Sequence, residues 1–172
     1  MNIEFGDYSV KKVKSFQGRE GYGYNADLYW GTKKVASILD EGCGGEAWVY
    51  WDDIEEEKVD ITRTDYKGEK HTYRGTPEEK ILREHIETIP LQESEYSKDG
   101  FRVDLTCFLS ALVGNYEEQR QLKRWCKKKT VLHLKTQKPG EYTTLSVPYD
   151  PEMKSTLEQQ FDIAEIVNER FL

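Results

Sequence analysis

The stretch YGYNADLYWGTKKVASILD, residues 22–40, decides how the rest of the chain is read. Tyr22, Tyr24, Ala26, Leu28 and Trp30 recur at a period of two, which puts large apolar side chains on one face of an extended strand. Gly31-Thr32 separates this run from a second, Lys33 to Leu39, and a two-residue connection with glycine first suits a type II' hairpin. Strands joined this tightly run antiparallel.

Working outward, Tyr8 to Phe16 has the same near-alternation and reads as a strand before the hairpin. Ala47 to Trp51, aromatic and β-branched, reads as another beyond it. A second hairpin is expected across Val59 to Tyr73, turning at Tyr66-Lys67-Gly68-Glu69. Thr76-Pro77-Glu78-Glu79 then signals a helix start, with Thr as N-cap, Pro in the first turn and Glu79 closing a capping box. That helix runs to about Thr88 with Ile81, Leu82, His85, Ile86 and Ile89 on one stripe.

Residues 90–101 read as a mobile connection. Asp104 caps a second helix, Gly114-Asn115 stops it, and a third runs from Tyr116 to about Lys128. Thr130 to Lys135 and Tyr142 to Val147 form a late hairpin about Lys138-Pro139-Gly140. Asp150-Pro151 opens a last helix whose core face is Leu157, Phe161, Ile166, Val167 and Phe171. Hairpins rather than alternating strand and helix units give an α+β class: an antiparallel N-terminal sheet, three to four helices and a late hairpin. The expected layout is one domain over 1–172, mainly β to residue 75, then mainly α apart from the hairpin at 130–147.

The 172 residues carry a net charge of −7, 33% charged and 12% aromatic side chains, which suits a folded domain and opposes nonspecific adhesion to nucleic acid. The longest apolar run, around Phe108 to Val113, is far short of the ~20 residues of a membrane span. The opening MNIEFGDYSV lacks the basic start and apolar core of a secretory signal, so the cytosol is the expected compartment and no membrane partner is expected. Cys43, Cys107 and Cys126 have no CxxC spacing, which argues for reduced thiols and against a structural zinc site.

Four groups of residues bear on function. The segment DEGCGGEAW, residues 40–48, is rejected as a phosphate loop: it leads into a strand, lacks a lysine, and surrounds the glycines with acids. Cys43 as nucleophile needs a lowered thiol pKa, and its neighbours Asp40, Glu41 and Glu46 push the other way. The better reading is a wide turn whose bare backbone lets something approach closely. Acids dominate Asp40 to Asp60, where Asp52, Asp53, Glu55 and Glu56 are candidates for contact with a basic partner. Between Gln119 and Gly140 there is no acid. There Arg120, Lys123, Arg124 and Lys127 fall at i, i+3, i+4 and i+7, lining one helical face able to hold phosphates. Trp30 and Trp48 are candidate stacking rings for a nucleotide held there. His71, His85 and His133 form no catalytic pair or triad. No metal site and no cofactor is expected.

The run GREGYGYNADLYWGTKKVASILDEGCGGEAW resembles the opening of small accessory proteins carried by bacteriophages and other mobile elements, over about residues 15–51. The resemblance implies a setting in the cytoplasm of an infected bacterium and antagonism of host defence. It carries no site residues. Three functions stay open. In the first, Arg120, Lys123, Arg124, Lys127, Trp30 and Trp48 sequester a cyclic or ADP-ribose-type nucleotide signal without catalysis. In the second, an acidic inhibitor presents Asp52, Asp53, Glu55 and Glu56 to a host defence nuclease by charge mimicry. In the third, a small enzyme uses Cys43. Self-association through an edge strand also stays open.

Overall fold

The computed structural model describes residues 3–52, 57–64, 69–94 and 97–172. The chain divides into two compact units, Met1–Gly114 and Asn115–Leu172. The fold is α+β, built from antiparallel sheets and, among the described residues, three α-helices.

In the N-terminal unit, β1 (Tyr8–Gln17), β2 (Tyr22–Trp30), β3 (Lys33–Asp40) and β4 (Trp48–Trp51) form an antiparallel sheet in chain order. The predicted hairpin joins β2 to β3. Trp30 pairs with Lys33, and Gly31 takes a φ of 57°, as the first position of its turn demands. Paired residues share a face, so Val10, Leu28, Ala36 and Trp51 make one row across all four strands on the core side, with Leu28 and Ala36 fully buried.

β1 departs from strict alternation. Lys12 takes a left-handed φ of 52°, the register slips between Lys11 and Lys14, and the buried positions run Tyr8, Val10, Val13. The extra residue of this bulge returns Val13 to the core face.

β5 (Val59–Thr64) and β6 (Lys70–Gly75) pair as the second hairpin; most of its predicted turn, 65–68, lies outside the described residues. Helix α1 (Pro77–Thr88) begins as its sequence dictates, with Thr76 Oγ1 accepting the Glu79 N–H at 3.1 Å. The other half of the box is not made. The Glu79 carboxylate accepts instead from the Tyr73 hydroxyl and from Arg83 Nε. Leu82, Ile86 and Ile89 are buried as expected, whereas Ile81 at the stripe's margin is exposed.

The stretch read as a connection, residues 90–101, carries two short strands. β7 (Gln92–Ser94) and β8 (Ser97–Phe101) pair, aided by Gly100, whose φ of 73° brings its backbone against the Gln92 carbonyl. Phe108 meets Phe5, Tyr8 and His85 edge-on, and the His85 ring nitrogen bonds the Glu4 carbonyl at 3.0 Å. His85 is thus a core fastening.

Asp104 caps the next helix through its side chain, accepting the Cys107 N–H at 2.7 Å. The predicted break at Gly114-Asn115 does not occur: α2 runs unbroken over Leu105–Cys126. An interior glycine costs a helix only about 1 kcal/mol against alanine, less than the hydrogen bonds a break would forfeit.

In the C-terminal unit, β9 (Thr130–Leu134) is the central strand of a three-stranded sheet. β10 (Thr143–Leu145) pairs on one side as the late hairpin predicted. On the other side lies β11 (Ile163–Ile166), in a segment read from sequence as helix. The last helix, α3, covers only Lys154–Gln160. It is preceded by a 3-10 turn at Pro151–Met153, which Asp150 caps, and a second 3-10 segment, Val167–Phe171, follows β11. The reason is β9 itself. Thr130, Val131 and Leu132 are buried, and a buried strand needs backbone partners on both edges, which Ile163–Ile166 supplies. Its core is Leu122, Val131 and Val167 beside Leu132, Leu157 and Ile166.

Gly114 is helical, and a Cβ built there meets nothing within 4 Å. Gly114→Ala is therefore expected to stabilise the protein by about 0.5–1 kcal/mol, read as a higher urea midpoint at unchanged slope. A lower midpoint would contradict the continuous helix.

Candidate functional site

The glycine turn fills its own space. Gly42 and Gly44 take φ of 66° and 73°, and Asp40 Oδ1 accepts the Gly42 N–H at 2.8 Å. The close approach expected of a ligand is made by the loop between β1 and β2: the Glu20 N–H donates to the Gly42 carbonyl at 2.9 Å. A Cβ at Gly18 would lie 2.4 Å from the Glu41 carbonyl oxygen, one at Gly23 2.4 Å from that of Asp40, and one at Gly42 2.7 Å from the Gly23 nitrogen. Cys43 is exposed on this turn, and its thiol donates to the Glu41 carboxylate at 3.6 Å. Its pKa is raised, by local loss of solvent, the bond to Glu41 and the negative field of Glu41, Glu20 and Asp40. That opposes the thiolate a nucleophile requires.

Three members of the basic stripe are where their spacing put them. Arg120, Lys123 and Arg124 are exposed on the last turns of α2, on the side away from buried Leu122, whereas Lys127, also exposed, lies in the turn after Cys126, because the helix ends before the fourth position of the expected stripe. None of the four has an ion-pair partner among the described residues; Lys135, further on, pairs with Asp162 at 2.6 Å. At 100° per residue, Lys123 lies on the margin of the helical stripe nearer Cys126, and Arg120 and Arg124 on the margin away from it.

Beside that nearer margin is a half-open cavity of about 220 Å³, lined by Lys123, Cys126, Lys127, Tyr149, Asn168 and Phe171, with Leu172 at its edge. Burial pushes the Cys126 thiol up, partly offset by Arg170, so it is a lining group and not a base. The Tyr149 hydroxyl donates to Glu169 at 2.8 Å, and Glu169 is in turn held by Lys154 at 3.1 Å. The acid attached to the cavity wall is thereby neutralised. Lys123 and Lys127 line the same cavity as the Tyr149 and Phe171 rings and have no ion-pair partner among the described residues.

Asn168 is 3% exposed and wholly committed to the backbone. Its amide nitrogen donates to the carbonyls of Cys126 at 3.2 Å and Lys129 at 2.8 Å, and its oxygen accepts the Val131 N–H at 2.7 Å. It closes the end of α2 and forms the cavity floor. Sequence reasoning missed Asn168, Tyr149 and Phe171: the basic stripe has a period to betray it, whereas one asparagine between Val167 and Glu169 has none.

The basic stripe falls in a different unit from the two tryptophans. Both belong to the N-terminal unit, 42% and 60% exposed, and they lie on opposite faces of its sheet. Trp48 pairs with Leu39, which pairs with Asn25, five residues from Trp30 along β2. Of the acidic candidates, Asp52 is engaged by Lys34 at 3.3 Å, and Asp53, Glu55 and Glu56 lie outside the described residues. Among the described residues no cluster of His, Cys, Asp and Glu is placed to hold a metal, and no helix is long and apolar enough to cross a membrane. No protein-family model, curated protein or solved structure matches the chain.

Asn168→Ala would leave the Val131 N–H and two carbonyls without partners and is expected to cost about 1–3 kcal/mol or more, measured by urea unfolding. A neutral effect would mean water replaces the amide in full.

A second expectation concerns alkali. Tyr8, Tyr73, Tyr142 and Tyr149 are each raised from 10.0 to about 12, first by burial and then by Glu78, Glu79, Glu118 and Glu169 respectively. The folded protein holds these protons more tightly than the unfolded chain. The contribution is therefore whole below pH 10 and lost as pH rises from 10 toward 12. The urea midpoint should fall across that window, and Tyr142→Phe should shallow the fall; an unchanged slope would remove Tyr142 from the account.

Proposed function

We propose that the C-terminal unit binds a phosphate-bearing, nucleotide-type anion without chemistry of its own. The observation that carries this reading is the juxtaposition of Lys123 and Lys127, exposed and unpaired among the described residues, with a cavity walled by Tyr149 and Phe171. Lysines hold phosphate as point charges, aromatic walls take a base face, and Arg120 and Arg124 continue the positive stripe for further phosphates. A volume of about 220 Å³ is below that of pockets that enclose a whole drug-sized ligand, so one ring and one phosphate would enter and the remainder would lie along the helix.

Taken with the resemblance of residues 15–51 to phage accessory proteins, the ligand class is a cyclic or ADP-ribose-type signal and the role is its sequestration from host defence. The bare, acid-lined turn at Cys43 supports binding over a cysteine-dependent reaction.

The test is thermal denaturation of the intact protein against linear and cyclic mono-, di- and trinucleotides and ADP-ribose derivatives. A ligand at a hundredfold excess over its Kd adds about 2.7 kcal/mol to native stability and raises the Tm. Arg120→Ala with Arg124→Ala and Lys127→Ala should abolish the shift while leaving the ligand-free Tm within about 1 °C, because all three side chains are exposed. No shift with any compound, or a shift retained in the triple variant, would reject the site.

A further inference from the structure

The sheet of the N-terminal unit has two unlike edges. β1 is blunted by exposed Lys11, Lys12 and Lys14 and by the bulge at Lys12, devices that keep an edge strand from pairing. β4 has none of them. Its four residues, Trp-Val-Tyr-Trp, carry no charge, no proline and no register shift against β3.

The hydrogen bonds say which backbone groups of β4 are spare. The Asp52 N–H donates to the Val35 carbonyl at 3.0 Å. An antiparallel ladder alternates, so Tyr50 and Trp48 likewise turn inward to β3, and Val49 and Trp51 turn their N–H and C=O groups outward. Ala47, the next outward residue, has its N–H taken by Thr106 Oγ1 at 3.2 Å. The outward groups of Val49 and Trp51 have no partner among the described residues. Beside them, on the face away from the core, stand the Trp48 and Tyr50 rings, 60% and 56% exposed.

We propose that the β4 edge is a docking site for an extended, basic segment of a partner protein, added as a fifth strand. Main-chain bonds to Val49 and Trp51 would supply the pairing, and alternate side chains of the guest would fall on the Trp48 and Tyr50 side. Charge selects the guest. The net charge of −7 is carried by this unit, because Lys and Arg nearly match Asp and Glu in residues 115–172. Exposed Glu41, Glu46 and Glu57 bracket β4 along the chain, beside Asp52, which is held by Lys34. A second copy would bring the same acids against themselves, whereas arginine or lysine is of opposite sign and stacks on exposed Trp and Tyr faces. The site belongs to the unit that lacks the basic stripe and does not depend on the nucleotide reading.

The test uses the intact protein and a labelled peptide of alternating arginine and threonine, with a glutamate–threonine peptide as counterpart. Fluorescence anisotropy should show saturable, salt-weakened binding of the basic peptide only. Amide hydrogen exchange should slow at Val49 and Trp51 and stay unchanged at Trp48 and Tyr50, which are already bonded to β3. Trp48→Ala with Tyr50→Ala should weaken binding about tenfold. Val49→Pro, which removes an outward N–H while leaving the β3 ladder, should abolish it. If that variant fails to fold, the double variant at two exposed positions still decides. Equal binding of the acidic peptide, binding without protection at Val49 and Trp51, or no binding at all would overturn the proposal. So would a concentration-dependent dimer dissolved by Val49→Pro, which would give the edge to a second copy.

Discussion

The C-terminal unit hangs on one side-chain amide. Where α2 ends, its last carbonyls lose their helical partners, and a buried carbonyl without a donor is costly. Asn168 donates to Cys126 and Lys129 and at the same time accepts from Val131, so it fastens the helix end, the following turn and the start of β9 in one contact set. Leucine or alanine offers no such bonds, and aspartate lacks the donors. The same fastening ties Lys123 at the end of the helix and Lys127 in the turn after it to the closing 3-10 segment that carries Phe171. The cavity is thus a by-product of terminating a helix in the interior of a small unit.

What was legible in the sequence had a period or a cap. The alternation from Tyr22 to Trp30, the glycine-first turn and the Thr76-Pro77 start each express a local rule that tertiary structure had no reason to override. The basic stripe was legible for the same reason, since four cations at helical spacing show on any helix. The failures are places where something other than the local signal decided. Ile163–Ile166 pairs with β9 because β9 has an edge to fill, which nothing within that segment announces. Gly114 looks like a stop only if the helix has no cause to continue, and Glu79 abandons its capping role because Tyr73 and Arg83 offer the carboxylate stronger bonds. Asn168 reaches 42 residues back along the chain to the Cys126 carbonyl, beyond any local window.

Charge is distributed with the architecture. On the outer face of the N-terminal sheet, Asp27 is shared between Lys12 and Lys34, and Lys34 reaches on to Asp52. Such exposed pairs contribute little stability, but they occupy the strand middles with matched charge. Glu41, Glu46 and Glu57 around β4, and Arg120, Lys123 and Arg124 on α2, have no ion-pair partner among the described residues. Within the N-terminal unit, Trp30 borders the core face of the sheet and Trp48 stands on the edge strand.

The crossing of Gly18, Gly23 and Gly42 has a consequence for how this chain can change over generations. At each position the obstacle to a side chain is the opposing main chain, a carbonyl oxygen or amide nitrogen closer than 3 Å to a built Cβ, and main chain cannot be trimmed by a second substitution. No compensating replacement at a neighbouring position opens these sites one at a time. The two segments share a core of bare backbone that admits no Cβ at these glycines, whereas Arg19 and Cys43 are exposed and a Cβ at Gly45 would meet nothing within 4 Å, which leaves those positions open to substitution.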